Sequence, residues 1–243
     1  MSLRRRVAGE AVGTAFLLMA VVGSGIMGER LAGGNVAIAL LANSLATGSA
    51  LAVLILVVAP ISGAHFNPLV TVEAAASREV PWRDVGPYVL AQVAGAFAGV
   101  ASAHWMFALS TFTWSTHART GAGQWWSEAV ATFGLLAVIR TCRRMGTPAA
   151  PLAIGAYITA AYWFTASTSF ANPAVTLARI ATDTFTGIRP VDVLGFVGAQ
   201  VVGGAAVLVL GRRVWRTGAA RPLASLAPKH DVSPEKYDRR EGE

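Results

Sequence analysis

Long apolar stretches alternate with short polar ones along this chain. The apolar stretches are residues 12–27, 36–59, 85–109, 125–139, 148–165 and 191–210. Most approach or exceed the roughly 20 residues that a helix needs to cross the hydrocarbon core of a bilayer. Segment 125–139 is the shortest. The pattern predicts six transmembrane helices, and an even number of crossings places both ends of the chain on one side of the membrane.

Two shorter apolar stretches begin with Asn-Pro. Asn67-Pro68-Leu69 lies between the second and third segments, and Asn172-Pro173-Ala174 lies between the fifth and sixth. Asn is a favoured helix cap, and Pro is favoured in the first helical position because no N–H is needed there. Each stretch is too short to cross a bilayer. We therefore expect two re-entrant half-helices that begin inside the membrane.

Three motifs occur twice in the same order. EAVGT at Glu10 returns as EAVAT at Glu128, NPLVT at Asn67 as NPAVT at Asn172, and AQVAG around Gln92 as AQVVG around Gln200. The copies are 118, 105 and 108 residues apart, which indicates an internal duplication. Each half holds three segments, so the second half crosses in the opposite sense. Such an inverted repeat places functional groups near the midplane, between the halves.

The predicted fold class is an all-α membrane protein with six transmembrane helices, two re-entrant half-helices and an inverted 3+3 repeat. Residues 1–9 form an N-terminal segment, and residues 10–211 form the membrane domain, with halves at about 10–109 and 125–211. Residues 212–243 are a basic tail with scattered prolines, which we expect to be disordered.

Only 14% of the residues are charged, against about 25% in soluble domains. Sixteen of the twenty Lys and Arg fall on one side of the predicted topology, and the exceptions are Arg30, Arg119, Arg179 and Arg189. This asymmetry predicts a multi-pass protein of the inner cell membrane with both termini in the cytoplasm. It also explains the net charge of +7 through orientation and anionic lipid, so no nucleic-acid partner is expected. A single Cys142 excludes an internal disulfide and a cysteine-based metal site, and neither a metal nor a cofactor is expected.

The two Asn-Pro stretches form a predicted pore waist made of Asn67, Pro68, Leu69, Asn172, Pro173 and Ala174. Helix N-termini carry partial positive charge, so two that face each other repel cations. Each Asn caps its own helix through the carbonyl and offers its NH2 group to the lumen. A neutral hydroxyl solute accepts from both amides, whereas a water chain must reverse its orientation there, which interrupts proton relay.

The stretches GAHFNP (63–68) and ANPA (171–174), inside this duplicated frame, resemble the aquaporin and aquaglyceroporin superfamily. The resemblance covers about residues 10–210. It implies a passive channel for small uncharged solutes, assembled as a homotetramer, and not an enzyme. The tripeptide of that superfamily is Asn-Pro-Ala, so the second copy is standard and the first departs from it at Leu69.

Several polar residues allow two interpretations. Glu10 and Glu128 could relay protons or could brace the re-entrant loops, and their symmetric placement, like the resemblance, favours the brace. His65 could be a gate, but its place just before the capping Asn favours a fixed loop contact. Gln92 and Gln200 could touch the pore or bond between helices, which the small residues around them favour. His104 is expected at the membrane interface.

The outer selectivity filter departs from the superfamily. In members selective for water or glycerol an Arg follows the second Asn-Pro-Ala, and here that residue is Val175. Residue counting from the motifs puts the other filter positions at Thr47, Ala160 and Ser169, and it puts Arg179 one helical turn beyond the filter. These residues predict a wide, mildly polar constriction without fixed charge.

The resulting hypothesis is a pore for glycerol-like polyols and water. This filter resembles those of bacterial channels associated with metalloid resistance, so arsenite is a candidate solute. A secondary transporter and a weakly selective ion channel are the alternatives, since both can be built on inverted repeats. A transporter would need ion-coordinating or proton-binding groups at the midplane, and the predicted spans provide only Glu10 and Glu128.

Overall fold

The computed structural model describes residues 1–214, with side chains described as far as residue 211. Most of the predicted tail at 212–243 therefore lies outside the described residues. The described part contains eight α-helices: α1 (Leu3–Leu31), α2 (Val36–Ser62), α3 (Pro68–Ala76), α4 (Trp82–Met106), α5 (Ala122–Met145), α6 (Ala150–Phe164), α7 (Pro173–Ala178) and α8 (Val193–Val214). Six are long, while α3 and α7 are the two short helices predicted from the Asn-Pro stretches.

Four of the long helical segments are long and apolar enough to cross a membrane by length and composition alone. They are Leu3–Leu31, Val36–Ser62, Trp82–Met106 and Pro190–Gly211. The other two belong to the second half of the chain: α6 is apolar but has 15 residues, and α5 has 24 residues and carries Glu128 and three arginines.

Equivalent helices of the two halves pack through equivalent glycines. A side chain on Gly95 of α4 would overlap the carbonyl oxygen of Ala11 in α1, and one on Gly203 of α8 would overlap that of Ala129 in α5. The backbones of each pair are therefore in direct contact, as small residues permit in membranes. The halves meet where Gly48 of α2 faces Gly155 of α6. This arrangement confirms the predicted fold class, including its inverted repeat.

The start of α1 defines what we call the N-terminal face, and the opposite end is the distal face. Half-helix α3 runs from the middle of the molecule toward the N-terminal face, where its Glu73 meets Arg143 of α5 at 2.9 Å. Half-helix α7 runs toward the distal face and continues as a 3₁₀ turn, Arg179–Ala181.

The segment between α4 and α5 crosses the distal face and is tied to the segment that follows α7. The N–H groups of Thr113 and Ser115 donate to the carbonyls of Ala181 and Ile180 at 3.1 and 2.9 Å. The backbone N–H of Thr116 donates to Asp183 at 2.8 Å and lowers the pKa of that carboxyl. These bonds fix the loop beside the distal end of the molecule.

His104 lies near the distal end of α4, as predicted for a residue close to the end of a span, and its side chain is buried within the protein. Its two ring nitrogens contact the carbonyl oxygen of Ser110 and the hydroxyl of Thr182, each at 2.7 Å. The imidazole thus joins the two distal loops, which the sequence places far apart.

Candidate functional site

The two re-entrant loops have the same unusual backbone. Ala64 and Phe66 have φ values of 53° and 51°, and the equivalent Ser169 and Ala171 have 49° and 48°. Residues with a β-carbon rarely adopt this left-handed region, and they do so only where the surrounding structure enforces it. The duplicated sequence therefore produces a duplicated strained loop, and each copy needs its own stabilising contacts.

Glu10 stabilises the first loop. Its carboxylate accepts from the backbone N–H groups of His65 and Phe66 at 3.0 and 2.7 Å, and from the Ser62 hydroxyl at 2.5 Å. A fourth donor is the Gln92 amide at 2.8 Å. All of these groups are buried, so the carboxylate replaces the water that the loop N–H groups lack.

Glu128 does the same in the second loop. It accepts from the N–H groups of Phe170 and Ala171 at 2.8 and 2.9 Å, from the Ser167 hydroxyl at 2.6 Å and from the Gln200 amide at 2.6 Å. Every donor occupies the position equivalent to that of its counterpart around Glu10. The geometry is that of a brace, and the lone pairs of both carboxylates are already engaged.

Gln92 and Gln200 belong to the same network rather than to the pore. The Gln92 amide also donates to Thr71 of α3 at 2.9 Å, and the Gln200 amide donates to Thr176 of α7 at 2.8 Å. Each glutamine thereby connects a brace to the half-helix that follows its loop. The repeated motifs relate the two glutamines to each other but do not reveal this bond to the threonine of NPLVT and NPAVT.

The pore waist is held by reciprocal bonds between the two loops. Asn67 accepts from the Leu69 N–H at 2.9 Å and donates through Nδ2 to the carbonyl of Ala171 at 2.8 Å. Asn172 accepts from the Ala174 N–H at 3.0 Å and donates through Nδ2 to the carbonyl of Phe66 at 2.8 Å. One hydrogen of each NH2 group thus joins the loops, and the second is left for the lumen.

The other waist residues shape the half-helices. Pro68 and Pro173 take the first helical position of α3 and α7. Ala174 is fully buried, and the partly buried Leu69 packs among apolar residues of the second half and approaches Gly204 of α8. The departure from Asn-Pro-Ala at Leu69 therefore fills space between helices, while both asparagines keep their positions.

A cavity of about 270 Å³ runs past both asparagines. Thr47, Tyr162 and Ser169 border it toward the distal face, and Arg143 and Thr147 border it at the N-terminal face. Much of its remaining lining is aliphatic: Leu17, Val21, Leu51, Ile55, Val70, Leu135, Ile139, Ile154 and Ile158. An apolar conduit with two amide donors at its centre suits small uncharged solutes that carry hydroxyl groups.

Three of the four predicted filter residues border this cavity, and the fourth does not. Thr47, Ser169 and Val175 line it, whereas Ala160 is exposed on the outer side of α6, so its assignment is wrong. Residues two apart on a helix point in nearly opposite directions, and a count that slips by two selects the wrong face. Tyr162 lines the cavity instead, and its hydroxyl donates to Thr47 at 3.3 Å. That these residues select solutes stays a prediction.

His65 has the contacts expected of a fixed loop residue. Its Nδ1 lies 3.1 Å from the hydroxyl of Thr71, and its ring packs on Tyr88 with 5.4 Å between centroids. His65 also borders the cavity. Arg179 borders the cavity as well, although residue counting had placed it beyond the filter.

A helical membrane fold whose two half-helices meet at paired asparagines, around a cavity that runs past both, is that of a transmembrane channel. Residues 1–169 match the profile of the family described as "Major intrinsic protein", and the chain belongs to this family. Its members are channels for water and small solutes such as glycerol, and they are not enzymes.

The aquaglyceroporin AqpS of Rhizobium meliloti is 53% identical over 221 residues, which cover 91% of this chain and 94% of that protein. The aquaporin NIP3-1 of Oryza sativa is 33% identical over 165 residues, covering 65% of this chain and 52% of the rice protein. The X-ray structure of the aquaglyceroporin from Plasmodium falciparum has the same fold, with a TM-score of 0.70 and 24% identity over 93% of this chain and all of that one.

Proposed function

We propose that this channel conducts uncharged solutes larger than water, with glycerol-like polyols as the primary class and water as a second permeant. The observation that carries the proposal is Val175, an apolar residue that borders the cavity directly after the second Asn-Pro-Ala. A short aliphatic side chain at this place leaves more room than a long charged one, and a wide lumen admits larger neutral solutes.

The distal lining also offers hydroxyl groups to a passing polyol. Thr47 and Tyr162 bond to each other, whereas the buried hydroxyl of Ser169 has no partner within the described part of the chain. A solute hydroxyl that passes the waist accepts from the N–H of each asparagine that the loops leave unused. The relative from Rhizobium meliloti, named an aquaglyceroporin, supports the same solute class.

Arsenite is the second solute that we propose. Near neutral pH it is mainly As(OH)3, an uncharged molecule with three hydroxyl groups, so its donors and acceptors resemble those of glycerol. Stopped-flow light scattering on proteoliposomes should show water, glycerol and arsenite entering faster than into protein-free vesicles. If arsenite enters no faster than into protein-free vesicles, arsenite is not a substrate. If glycerol enters no faster than into protein-free vesicles, the proposal of a polyol channel is wrong.

The same vesicles distinguish a channel from a secondary transporter. Glycerol flux should rise linearly with concentration and should not respond to membrane potential. Saturation at millimolar glycerol, or coupling to a proton gradient, would favour the transporter. The engagement of Glu10 and Glu128 with loop donors supports the channel, because a relay needs a carboxylate that can release its partners.

We further propose a homotetramer in the inner cell membrane with both termini in the cytoplasm. The asymmetry of Lys and Arg supports this orientation. Under it the distal face is extracellular. A cysteine placed at Gly33, in the turn between α1 and α2, should react with a membrane-impermeant maleimide on intact cells, and one at Ser2 should not. Native mass spectrometry from detergent tests the tetramer.

A further inference from the structure

Arg179 is a cation in the membrane whose position the proposed function does not yet explain. It begins the 3₁₀ turn after α7, and its side chain has 2% exposure. It nevertheless borders the cavity, together with Phe170 and Val175. An Arg is always protonated, and burying its charge within a membrane is energetically costly. A buried Arg in a membrane protein therefore points to a functional site.

The guanidinium has a fixed orientation. Its central carbon lies 3.4 Å from the centroid of the Phe170 ring, and its Nε donates to the carbonyl of Thr186. Phe170 is itself held by an edge-to-face contact with Phe196, 5.1 Å between centroids, and by the bond of its N–H to Glu128. The guanidinium therefore rests on a ring that belongs to the second re-entrant loop.

The terminal nitrogens of Arg179 are not used by the protein. Within the part of the chain that the structure describes, the only hydrogen bond of its side chain is that of Nε, and no carboxylate lies within ion-pair distance of it. A second cationic side chain lies nearby: the guanidinium carbon of Arg119 is 5.1 Å from the centroid of the Phe170 ring. Arg119 differs in that it donates to the carbonyls of Gly187 and Phe185, at 2.7 and 3.2 Å, and so ties down the distal loop.

We propose that Arg179 determines the charge selectivity of this pore: it is the fixed positive group that a solute meets at the distal end of the cavity, and it takes the part that an Arg at position 175 would otherwise have. The inference rests on the proposed function, because it assumes a pore for neutral solutes. Set one turn beyond Val175 and folded onto Phe170, the guanidinium supplies charge without filling the lumen.

Two consequences follow from this placement. A monovalent cation entering from the distal face meets a positive charge that has no ion-pair partner among the described residues before it reaches the half-helix N-termini, so the barrier to cations is not left to those dipoles alone. A neutral solute instead finds two N–H donors in the planar fork that matches adjacent oxygen acceptors. Wide passage for polyols and exclusion of cations are thus compatible in one pore.

Sodium influx into proteoliposomes that contain a sodium-sensitive dye tests the charge. Wild type should admit sodium no faster than protein-free vesicles. Arg179→Met should raise this influx at least about tenfold, and because it also loses the fork it should conduct glycerol more slowly than wild type but faster than protein-free vesicles. Arg179→Lys keeps the charge and loses the planar fork, so it should keep sodium out and slow glycerol. A sodium influx in Arg179→Met equal to that of wild type, with glycerol flux retained, would overturn the proposal.

Arg30→Met is the matched control. Arg30 also stacks on a phenylalanine at the distal end, 5.2 Å from the centroid of Phe107, but it is exposed and does not line the cavity. Its replacement removes the same charge from the same face, so sodium influx should stay at the level of wild type. Leakage in both variants would mean that overall surface charge, and not the position of Arg179, excludes cations.

A comparison of urea with guanidinium in wild type applies even if Arg179→Met does not fold. The two solutes have the same planar shape and similar size and differ in charge. Urea should enter and guanidinium should not, and entry of guanidinium would overturn the proposal. Absence of glycerol and urea flux in wild type would instead contradict the proposed function, which separates the two failures.

Discussion

Buried carboxylates in this channel stabilise backbone that would otherwise be unfavourable. The loops around Asn67 and Asn172 each contain two residues with a left-handed backbone, and each loop presents two N–H groups to one glutamate. A carboxylate is the side chain that accepts several such bonds at once. We therefore propose that the acids inside the membrane have a structural role, which follows from the geometry of the loops that carry the asparagines.

Replacement of Glu128 by Ala should therefore destabilise the protein strongly. Four buried donors would lose their acceptor, and unmade buried bonds of this kind cost about 1–3 kcal/mol each, so a loss of roughly 3–5 kcal/mol is expected after relaxation. Thermal unfolding in detergent measures it. Glu29→Ala, at an exposed position near the end of α1, should leave the transition unchanged. A Glu128→Ala protein as stable as wild type would contradict the brace.

Val175→Arg tests the width of the distal end. A long cation here would occupy the lumen beside Arg179, so glycerol and arsenite flux should fall at least about tenfold while water flux falls less. Val175→Leu adds bulk without charge, so it should reduce the flux of glycerol and arsenite only modestly. Stopped-flow rates for the three solutes give the comparison. Unchanged glycerol flux in Val175→Arg would mean that this residue does not border the narrow part of the pore.

The duplication is visible in pairs of packed helices. Contacts between α1 and α4 in the first half are repeated between α5 and α8 in the second, each through a glycine against a carbonyl oxygen. Close approach of backbones replaces the hydrophobic driving force that is absent within lipid. The close approach of the long helices within each half depends on these small residues.

Gly203→Ala should separate α8 from α5. The added methyl group would overlap the carbonyl oxygen of Ala129, and overpacking of this kind typically costs about 1–3 kcal/mol. Gly198→Ala is the matched control, because that glycine lies on the same helix and has open space around its β-carbon position. Thermal unfolding in detergent should show a lower midpoint for Gly203→Ala alone, and equal midpoints would contradict the contact.

The sequence predicted best those helices and loops that its repeated motifs mark. The doubled motifs indicated the half-helices, the inverted repeat and the positions of both glutamates, and the structure confirms this fold. Ala160 was misplaced because no motif fixes the register of α6, so residue counting had to cross a loop. The burial of His104 depends on a contact with Thr182 that arises only when the distal loops meet.

The two halves of the molecule match each other around the pore waist and differ at the N-terminal and distal faces. At the N-terminal face the buried Glu73 of α3 pairs with Arg140 and Arg143 of α5 at 3.3 and 2.9 Å, which joins the two halves. The position equivalent to Glu73 in the second half is Ala178, and beyond it the distal face carries Arg179 without an ion-pair partner in the described residues. Of the described residues that border the cavity, Arg143 at one end thus has carboxylate partners, whereas Arg179 at the other has none within ion-pair distance.

Glu73→Gln should therefore weaken the junction between the halves. It removes the buried member of two ion pairs, and a loss of about 2–4 kcal/mol is expected because both arginines are partly solvated. Glu79→Gln is the control: Glu79 pairs with the same Arg143 at 3.0 Å, but its side chain is 45% exposed against 2% for Glu73. Exposed pairs contribute at most about 1 kcal/mol, so its midpoint should barely change. Equal shifts in the two variants, measured by thermal unfolding in detergent, would show that burial does not distinguish these carboxylates.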